Sequence, residues 1–141
     1  PEHSHVLPAL IRRFHYAKQT NQPTVRLWGT GQPRREFLHV DDLADAIMHL
    51  LSLESPPDWV NVGTGVDLTI RELASKVAET VGYNGEIQTD PSRPDGTPKK
   101  CTDVTLLHES GWKHRIDLQE GLENTYAAFC REVDAGNLRS A

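Results

Sequence analysis

Hydrophobic and polar positions along the chain alternate between helical spacing and short strand-like runs. Apolar residues recur every three to four positions over 5–20, which predicts a first helix with Ser4 as its N-cap. Four short apolar runs flanked by turn-forming residues predict strands, at 24–28, 36–40, 59–62 and 86–89.

Further helices are predicted at 43–53, 70–81, 103–110 and 117–133. Asp41 and Asp42 are the predicted cap of the first of these, whose apolar positions form one stripe: Leu43, Ala46, Ile47, Leu50 and Leu51. Thr69 and Glu72 form a capping box for the second, and Gly82 ends it. Since helices and short strands alternate, the pattern predicts an α/β fold, locally α+β.

Composition narrows the class of protein. The 141 residues suit one domain (1–141), 37% of them are hydrophobic, and no apolar run approaches the ~20 residues of a membrane span. Fifteen basic against 20 acidic residues give a net charge of −5, which argues against a nucleic-acid partner. Two cysteines, Cys101 and Cys130, are too few for a disulfide framework and favour a reducing, cytoplasmic location. The chain begins at Pro1, so we expect a piece of a longer protein.

A glycine-rich stretch over 61–65 follows a predicted strand and precedes a helix, as phosphate-binding loops do. It departs from the dinucleotide pattern because Leu68 occupies the third glycine position, and it also lacks the P-loop Gly-Lys pair. A tight turn is therefore favoured over a phosphate loop. The sequence also has no Tyr-x-x-x-Lys pair and no zinc-like Cys/His spacing.

Two basic pairs interrupt the acidic chain. Arg34-Arg35 follows a Gly/Pro turn, and Lys99-Lys100 follows the proline-rich loop 90–98. Such pairs can bind an anionic small molecule, or they can be solvated loop charges. His5, at the start of the first helix, is either a neutral base or an exposed terminal histidine.

Several segments together resemble the C-terminal part of the GDP-L-fucose synthase family, the GDP-4-keto-6-deoxymannose 3,5-epimerase/4-reductases. The opening Ser-His-Val-Leu-Pro-Ala (4–9) and the loop Arg-Pro-Asp-Gly-Thr-Pro-Lys-Lys (93–100) are particular to that family. The segments 35–42 and 61–67 are common to the extended short-chain dehydrogenase superfamily.

The resemblance implies a fold and a division of roles. The chain would be the smaller, substrate-binding lobe, with the Rossmann lobe largely missing, and it would be inactive alone. His5 would be the acid/base of the epimerisations, acting with a cysteine of the missing lobe. Trp28, Arg35 and Lys100 would bind the GDP-sugar substrate, with Arg13 nearby.

NADP would be bound mainly by the missing N-terminal lobe, so no cofactor-binding residue is expected in this chain. The complete protein would be a homodimer. Three alternatives stay open: another nucleotide-sugar epimerase or dehydratase of the superfamily, a non-catalytic nucleotide-sugar-binding module, and a structural interaction domain.

Overall fold

A computed structural model describes residues 5–137 of the chain. The described part contains five helices and five short strands. In chain order they are α1 (Val6–Gln19), β1 (Thr24–Trp28), β2 (Arg34–Glu36), α2 (Val40–Ser52), β3 (Asp67–Thr69), α3 (Ile70–Val81), β4 (Glu86–Asp90), β5 (Lys99–Lys100), α4 (Thr105–Glu109) and α5 (Leu118–Asp134). The predicted α/β class is confirmed. None of these helices is long and apolar enough to cross a membrane.

The strands form two small sheets. β1 and β4 pair in parallel, with Thr24 opposite Glu86 and Trp28 opposite Asp90. In the other sheet β2 is central, antiparallel to β3 and parallel to β5. The second sheet therefore brings together three segments that are far apart in sequence.

The larger core lies between the β1–β4 pair and helices α1, α3 and α5. Phe14 of α1 and Leu73 of α3 are completely buried there, and the Phe14 ring contacts the Tyr83 ring at a centroid distance of 5.3 Å. Burial of the apolar stripes of α1 and α3 against each other fixes α1 beside β1.

A smaller core forms where α2 meets α4. It consists of Ala46, Val104, Leu107 and Trp112. Asp42 of α2 is 2% exposed, and its carboxylate accepts hydrogen bonds from the backbone N–H groups of Arg115 and Ile116. This carboxylate ties the segment before α5 to α2.

Two predicted strands are wrong. The strand expected at 36–40 lies instead at Arg34–Glu36, and α2 begins at Val40. The cap of α2 is His39, whose Nδ1 accepts from the Asp41 N–H at 3.2 Å, so the predicted caps are inside the helix. Residues 59–62 form no strand.

The predicted side-chain caps of two other helices, α3 and α5, are confirmed. Thr69 and Glu72 make the reciprocal capping box of α3, and Gly82 ends that helix in the left-handed conformation. Asp117 caps α5 by accepting from the Glu120 N–H. Ser4 lies outside the described residues, and His5 occupies the N-cap position of α1.

The apolar stripe of α2 is only partly buried. Ala46 is in the smaller core and Leu50 packs against it. Leu43, Ile47 and Leu51, spaced four residues apart on one helical face, are 40%, 48% and 75% exposed. The structure thus divides the stripe into a buried part and an exposed part.

Candidate anion-binding site

The two basic pairs of the sequence meet in the second sheet. β2 and β5 pair in parallel, with Arg34 opposite Lys99 and Arg35 opposite Lys100. Side chains alternate between the two faces of a sheet, and residues paired across strands share a face. Arg34 and Lys99 therefore lie on one face, and Arg35 and Lys100 lie on the other. Each basic pair is thus divided between two different environments.

Asp67 neutralises the face that carries Arg34 and Lys99. Its Oδ1 accepts from the Arg34 Nε, and its Oδ2 lies 2.9 Å from the Lys99 Nζ. Hydrogen bonds from Lys99 and then Arg34 hold the pKa of Asp67 below its usual value. These two cations serve the structure, so each predicted basic pair supplies one cation to the opposite face.

Arg35 and Lys100 occupy that opposite face. The Arg35 guanidinium donates to the carbonyl oxygens of Arg34 and Thr97, each at 2.7 Å, and Lys100 is exposed. Neither side chain forms an ion pair with a carboxylate of residues 5–137. This face therefore carries two positive charges that no carboxylate of the described chain balances.

Asp95 fastens the proline-rich loop to the turn after β1. Its carboxylate accepts from the Thr30 N–H at 2.9 Å and from the Thr30 hydroxyl at 2.6 Å. Gly29 has φ +77°, and a Cβ there would lie 2.1 Å from the Asp95 Oδ1. The close approach of the two segments therefore requires glycine at this position.

The same contact brings Trp28 beside the loop. The Trp28 side chain is largely exposed, and the Arg93 Cζ lies 5.2 Å from its ring centroid, a cation–π distance. Arg35 contacts this loop at Thr97, so the loop joins Trp28 to the cationic face. The sequence analysis assigned no role to Arg93. Its stacking on Trp28 is visible only in the folded structure, because the two residues are far apart in sequence.

Arg13 and His5 lie on α1, which packs against β1. Arg13 donates a hydrogen bond to the Arg26 carbonyl of β1, and burial lowers its pKa. α1 and β1 run side by side after the turn at 20–23, so the start of the helix and the end of the strand lie toward the same end of the molecule. The guanidinium of Arg13 is bound to the strand that carries Trp28.

The glycine-rich turn binds a carboxylate of the chain itself. The N–H groups of Thr64 and Gly65 donate to the Glu36 Oε1 at 2.5 and 2.6 Å, and the Thr102 N–H and hydroxyl donate to Oε2, both at 2.7 Å. A Cβ on Gly63 would lie 2.2 Å from the Thr102 hydroxyl. The strand expected before this turn is absent, and the sequence analysis missed Glu36 and Thr102.

The electrostatics of this turn keep Glu36 charged. Burial alone would raise the pKa of Glu36, but the hydrogen bonds from Thr102, Gly65 and Thr64 outweigh it and the pKa lies below its usual value. For the Cys101 thiol, burial and then the charges of Glu36 and Asp67 raise the pKa, so the thiol stays protonated at neutral pH. Within residues 5–137 no three metal-binding side chains form a group.

Comparison with known proteins identifies relatives of this chain. The model of the NAD dependent epimerase/dehydratase family matches residues 1–63. The GDP-L-fucose synthase of Escherichia coli strain K12 is 52% identical over 143 residues, which cover 95% of this chain and 44% of that protein. Residues 1–63 are thus similar to the NAD dependent epimerase/dehydratase family, and nearly the whole chain is similar to GDP-L-fucose synthases. The resemblance seen in the sequence is confirmed.

A further relative and a solved structure show the same partial coverage. Probable GDP-L-fucose synthase 1 of Oryza sativa subsp. japonica is 54% identical over 133 residues, which cover 94% of this chain and 40% of that protein. The structure of MlghC, a GDP-mannoheptose C4 reductase from Campylobacter jejuni with NADP bound, superposes with a TM-score of 0.77 at 36% identity, covering 90% of this chain and 45% of that one. The chain thus spans less than half the length of these relatives.

Proposed function

We propose that the chain is the substrate-binding lobe of an NADP-dependent GDP-4-keto-6-deoxy-D-mannose 3,5-epimerase/4-reductase that forms GDP-L-fucose. The observation that carries the proposal is the face shared by Arg35 and Lys100, whose two positive charges have no carboxylate partner within residues 5–137. A sugar nucleotide presents a diphosphate of matching charge. Support from relatives comes from the two GDP-L-fucose synthases and the GDP-sugar reductase described above.

In this proposal Arg35 and Lys100 bind the diphosphate by charge-assisted hydrogen bonds. The exposed Trp28 ring, backed by Arg93, offers an apolar face with a cationic edge to the sugar nucleotide. Arg13 takes a supporting role, because its bond to the Arg26 carbonyl fixes α1 relative to the strand that carries Trp28.

His5 is the proposed acid/base. A ketone at C4 acidifies the hydrogens at C3 and C5, and a neutral imidazole can remove and return such protons. His5 is the N-cap residue of α1 and lies at the N-terminal end of that helix. In the resemblance a second acid/base, a cysteine, comes from the part of the longer protein outside this chain.

The structural neighbour with NADP bound suggests NADP as the cofactor. The described residues of this chain do not fit it. The glycine-rich turn is the segment whose N–H groups would suit a phosphate, and Glu36 occupies them. We therefore assign NADP to the part of the longer protein outside this chain. The exposed apolar face of α2 supports such a partner, as does the coverage of only 40–44% of the GDP-L-fucose synthases. Homodimer formation and a cytoplasmic location stay predictions of the resemblance.

Steady-state kinetics of the protein at its full natural length test the proposal. With GDP-4-keto-6-deoxymannose and NADPH we expect NADPH oxidation and formation of GDP-L-fucose. Lys100→Met and Arg35→Met should each raise KM by about 10- to 100-fold, since a charged hydrogen bond contributes about 1.5–3 kcal/mol. Lys76→Met, which removes an exposed lysine of α3, is the matched control and should leave KM unchanged.

A second arm separates the chemistry from binding. His5→Asn should suppress deuterium exchange from solvent into C3 and C5 while sparing the affinity for GDP. Turnover of a different sugar nucleotide instead would favour the alternative epimerase or dehydratase. GDP-sugar binding without turnover would favour a non-catalytic binding module. No nucleotide binding, with His5, Arg35 and Lys100 all replaceable, would leave a structural interaction domain.

A further inference from the structure

The strand that carries Lys100 is too short to hold itself in place. β5 consists of Lys99 and Lys100, and its pairing with β2 extends over two register positions. Strands in globular proteins usually run to about five or six residues, and a pairing of two residues leaves most of that stabilisation missing. Contacts outside the main-chain ladder must therefore fix the position of Lys100 relative to Arg35.

Glu36 supplies such a contact at the point where the ladder ends. It follows Arg35 in β2, and its Oε2 accepts from the N–H and hydroxyl of Thr102, both at 2.7 Å. Its Oε1 accepts at the same time from the N–H groups of Thr64 and Gly65. One carboxylate thus joins β2, the glycine-rich turn and the segment that follows β5.

The backbone at Lys100 is thereby held on both sides. Lys99 before it is bound to Asp67, and Thr102 after it is bound to Glu36. Side-chain alternation places Glu36 on the face of β2 opposite to Arg35, so its carboxylate does not lie among the anion-binding groups. We propose that Glu36 is a positioning residue that holds Lys100 beside Arg35 for binding of the substrate diphosphate. The proposal rests on the proposed function of the Arg35–Lys100 face.

If Glu36 acts only through its charge, or if it acts by positioning Lys100, the expected effects of Glu36→Gln on anion binding are opposite. The variant therefore distinguishes the two roles. If only charge mattered, loss of a nearby negative charge would strengthen the binding of an anion. If position matters, the variant weakens binding. An amide can satisfy the donors on one side only and directs its NH2 group toward the others. Preorganisation of Lys100 is then lost, and its ordering has to be repeated at each binding event.

The experiment is isothermal titration calorimetry, which measures the dissociation constants of GDP and of inorganic pyrophosphate for the protein at its full natural length. We expect Glu36→Gln to weaken the binding of both probes by about 5- to 20-fold, an effect of about 1–2 kcal/mol at the shared diphosphate. The matched control is Asp42→Asn, which replaces another buried carboxylate that accepts from backbone N–H groups, but of Arg115 and Ile116. It should lower the melting temperature while leaving both dissociation constants within about twofold.

A second pair of variants covers the case in which Glu36→Gln does not fold. Thr102→Val removes the hydroxyl that donates to Glu36, and Thr102→Ser keeps it. We expect the valine variant to weaken pyrophosphate binding and the serine variant to restore it. Binding that is unchanged or tighter in Glu36→Gln, or equal in the two Thr102 variants, would overturn the positioning role. Failure of the proposed function would give a different result. The unsubstituted protein would bind neither probe, or Lys100→Met would bind both probes as tightly as the unsubstituted protein.

Discussion

At the scale of single residues, buried titratable groups divide according to what surrounds them. Glu36 and Asp67 receive hydrogen bonds from N–H, hydroxyl or cationic groups, so their pKa values fall and both stay charged. His15 is the opposite case. It is 7% exposed, its Nδ1 lies 3.0 Å from the Tyr126 hydroxyl, and its buried Nε2 has no hydrogen-bond partner among residues 5–137.

His15 makes stability depend on pH. Burial first, and then the charge of Lys18, lower its pKa, while Asp134 acts in the other direction. The unfolded chain therefore binds the proton more readily than the folded chain. The stability that neutral His15 permits is present above its unfolded pKa, and it is lost as pH falls from about 6.5 toward the folded value.

We expect the free energy of unfolding to decrease between about pH 6.5 and pH 5, and His15→Phe to flatten this part of the profile. Phenylalanine retains the edge contacts with Tyr126 and Phe129 and cannot be protonated. Urea denaturation at several pH values measures the slope. The other titratable neighbour on α5, Cys130, is hydrogen-bonded to Tyr126, and burial and this bond raise the pKa of Tyr126 to about 12. Tyr126 therefore does not titrate in this window, and an identical slope in His15→Phe would contradict the assignment.

At the scale of elements, the sequence predicts the features that depend on residues close together in the chain, such as helix caps. The capping box of α3 and the N-cap of α5 involve residues three apart, and both are found where the pattern places them. β3 and β5 are two or three residues long and exist because β2 lies between them, which no local pattern encodes. The division of Arg34-Arg35 and Lys99-Lys100 between two faces follows from that pairing. The sequence therefore found the basic pairs but not which cation of each pair faces the site.

α3 offers a direct test of a locally encoded element. Thr69→Ala removes the hydroxyl that accepts from the Glu72 N–H, and we expect a loss of about 1 kcal/mol in the free energy of unfolding. Ser75→Ala is the matched control on the same helix. The Ser75 hydroxyl is exposed and donates only to the Arg71 carbonyl, so its removal should be neutral or slightly stabilising. Chemical denaturation of both variants measures the difference, and equal losses would show that the cap is not the cause.

At the scale of the whole molecule, α2 carries apolar residues on two adjacent faces, and within residues 5–137 only one of these faces is buried. Ala46 and Leu50 pack in the smaller core, while Leu43, Ile47 and Leu51 are exposed. Hydrophobic periodicity predicts that a stripe is buried, but it does not say against which part of a protein. The relatives are more than twice as long as this chain, and we propose that a further part of the protein covers the exposed stripe.

The last prediction concerns that surface. In the 141-residue chain, Ile47→Gln should leave the free energy of unfolding nearly unchanged, because the side chain is 48% exposed there. In the protein at its full natural length the same substitution should cost about 2–4 kcal/mol, the usual effect of removing a buried isoleucine. Val66→Gln alters an exposed side chain away from α2 and should have little effect at either length. Urea denaturation of both lengths gives the comparison. An Ile47→Gln effect that is the same at both lengths would show that the remainder of the protein does not cover α2.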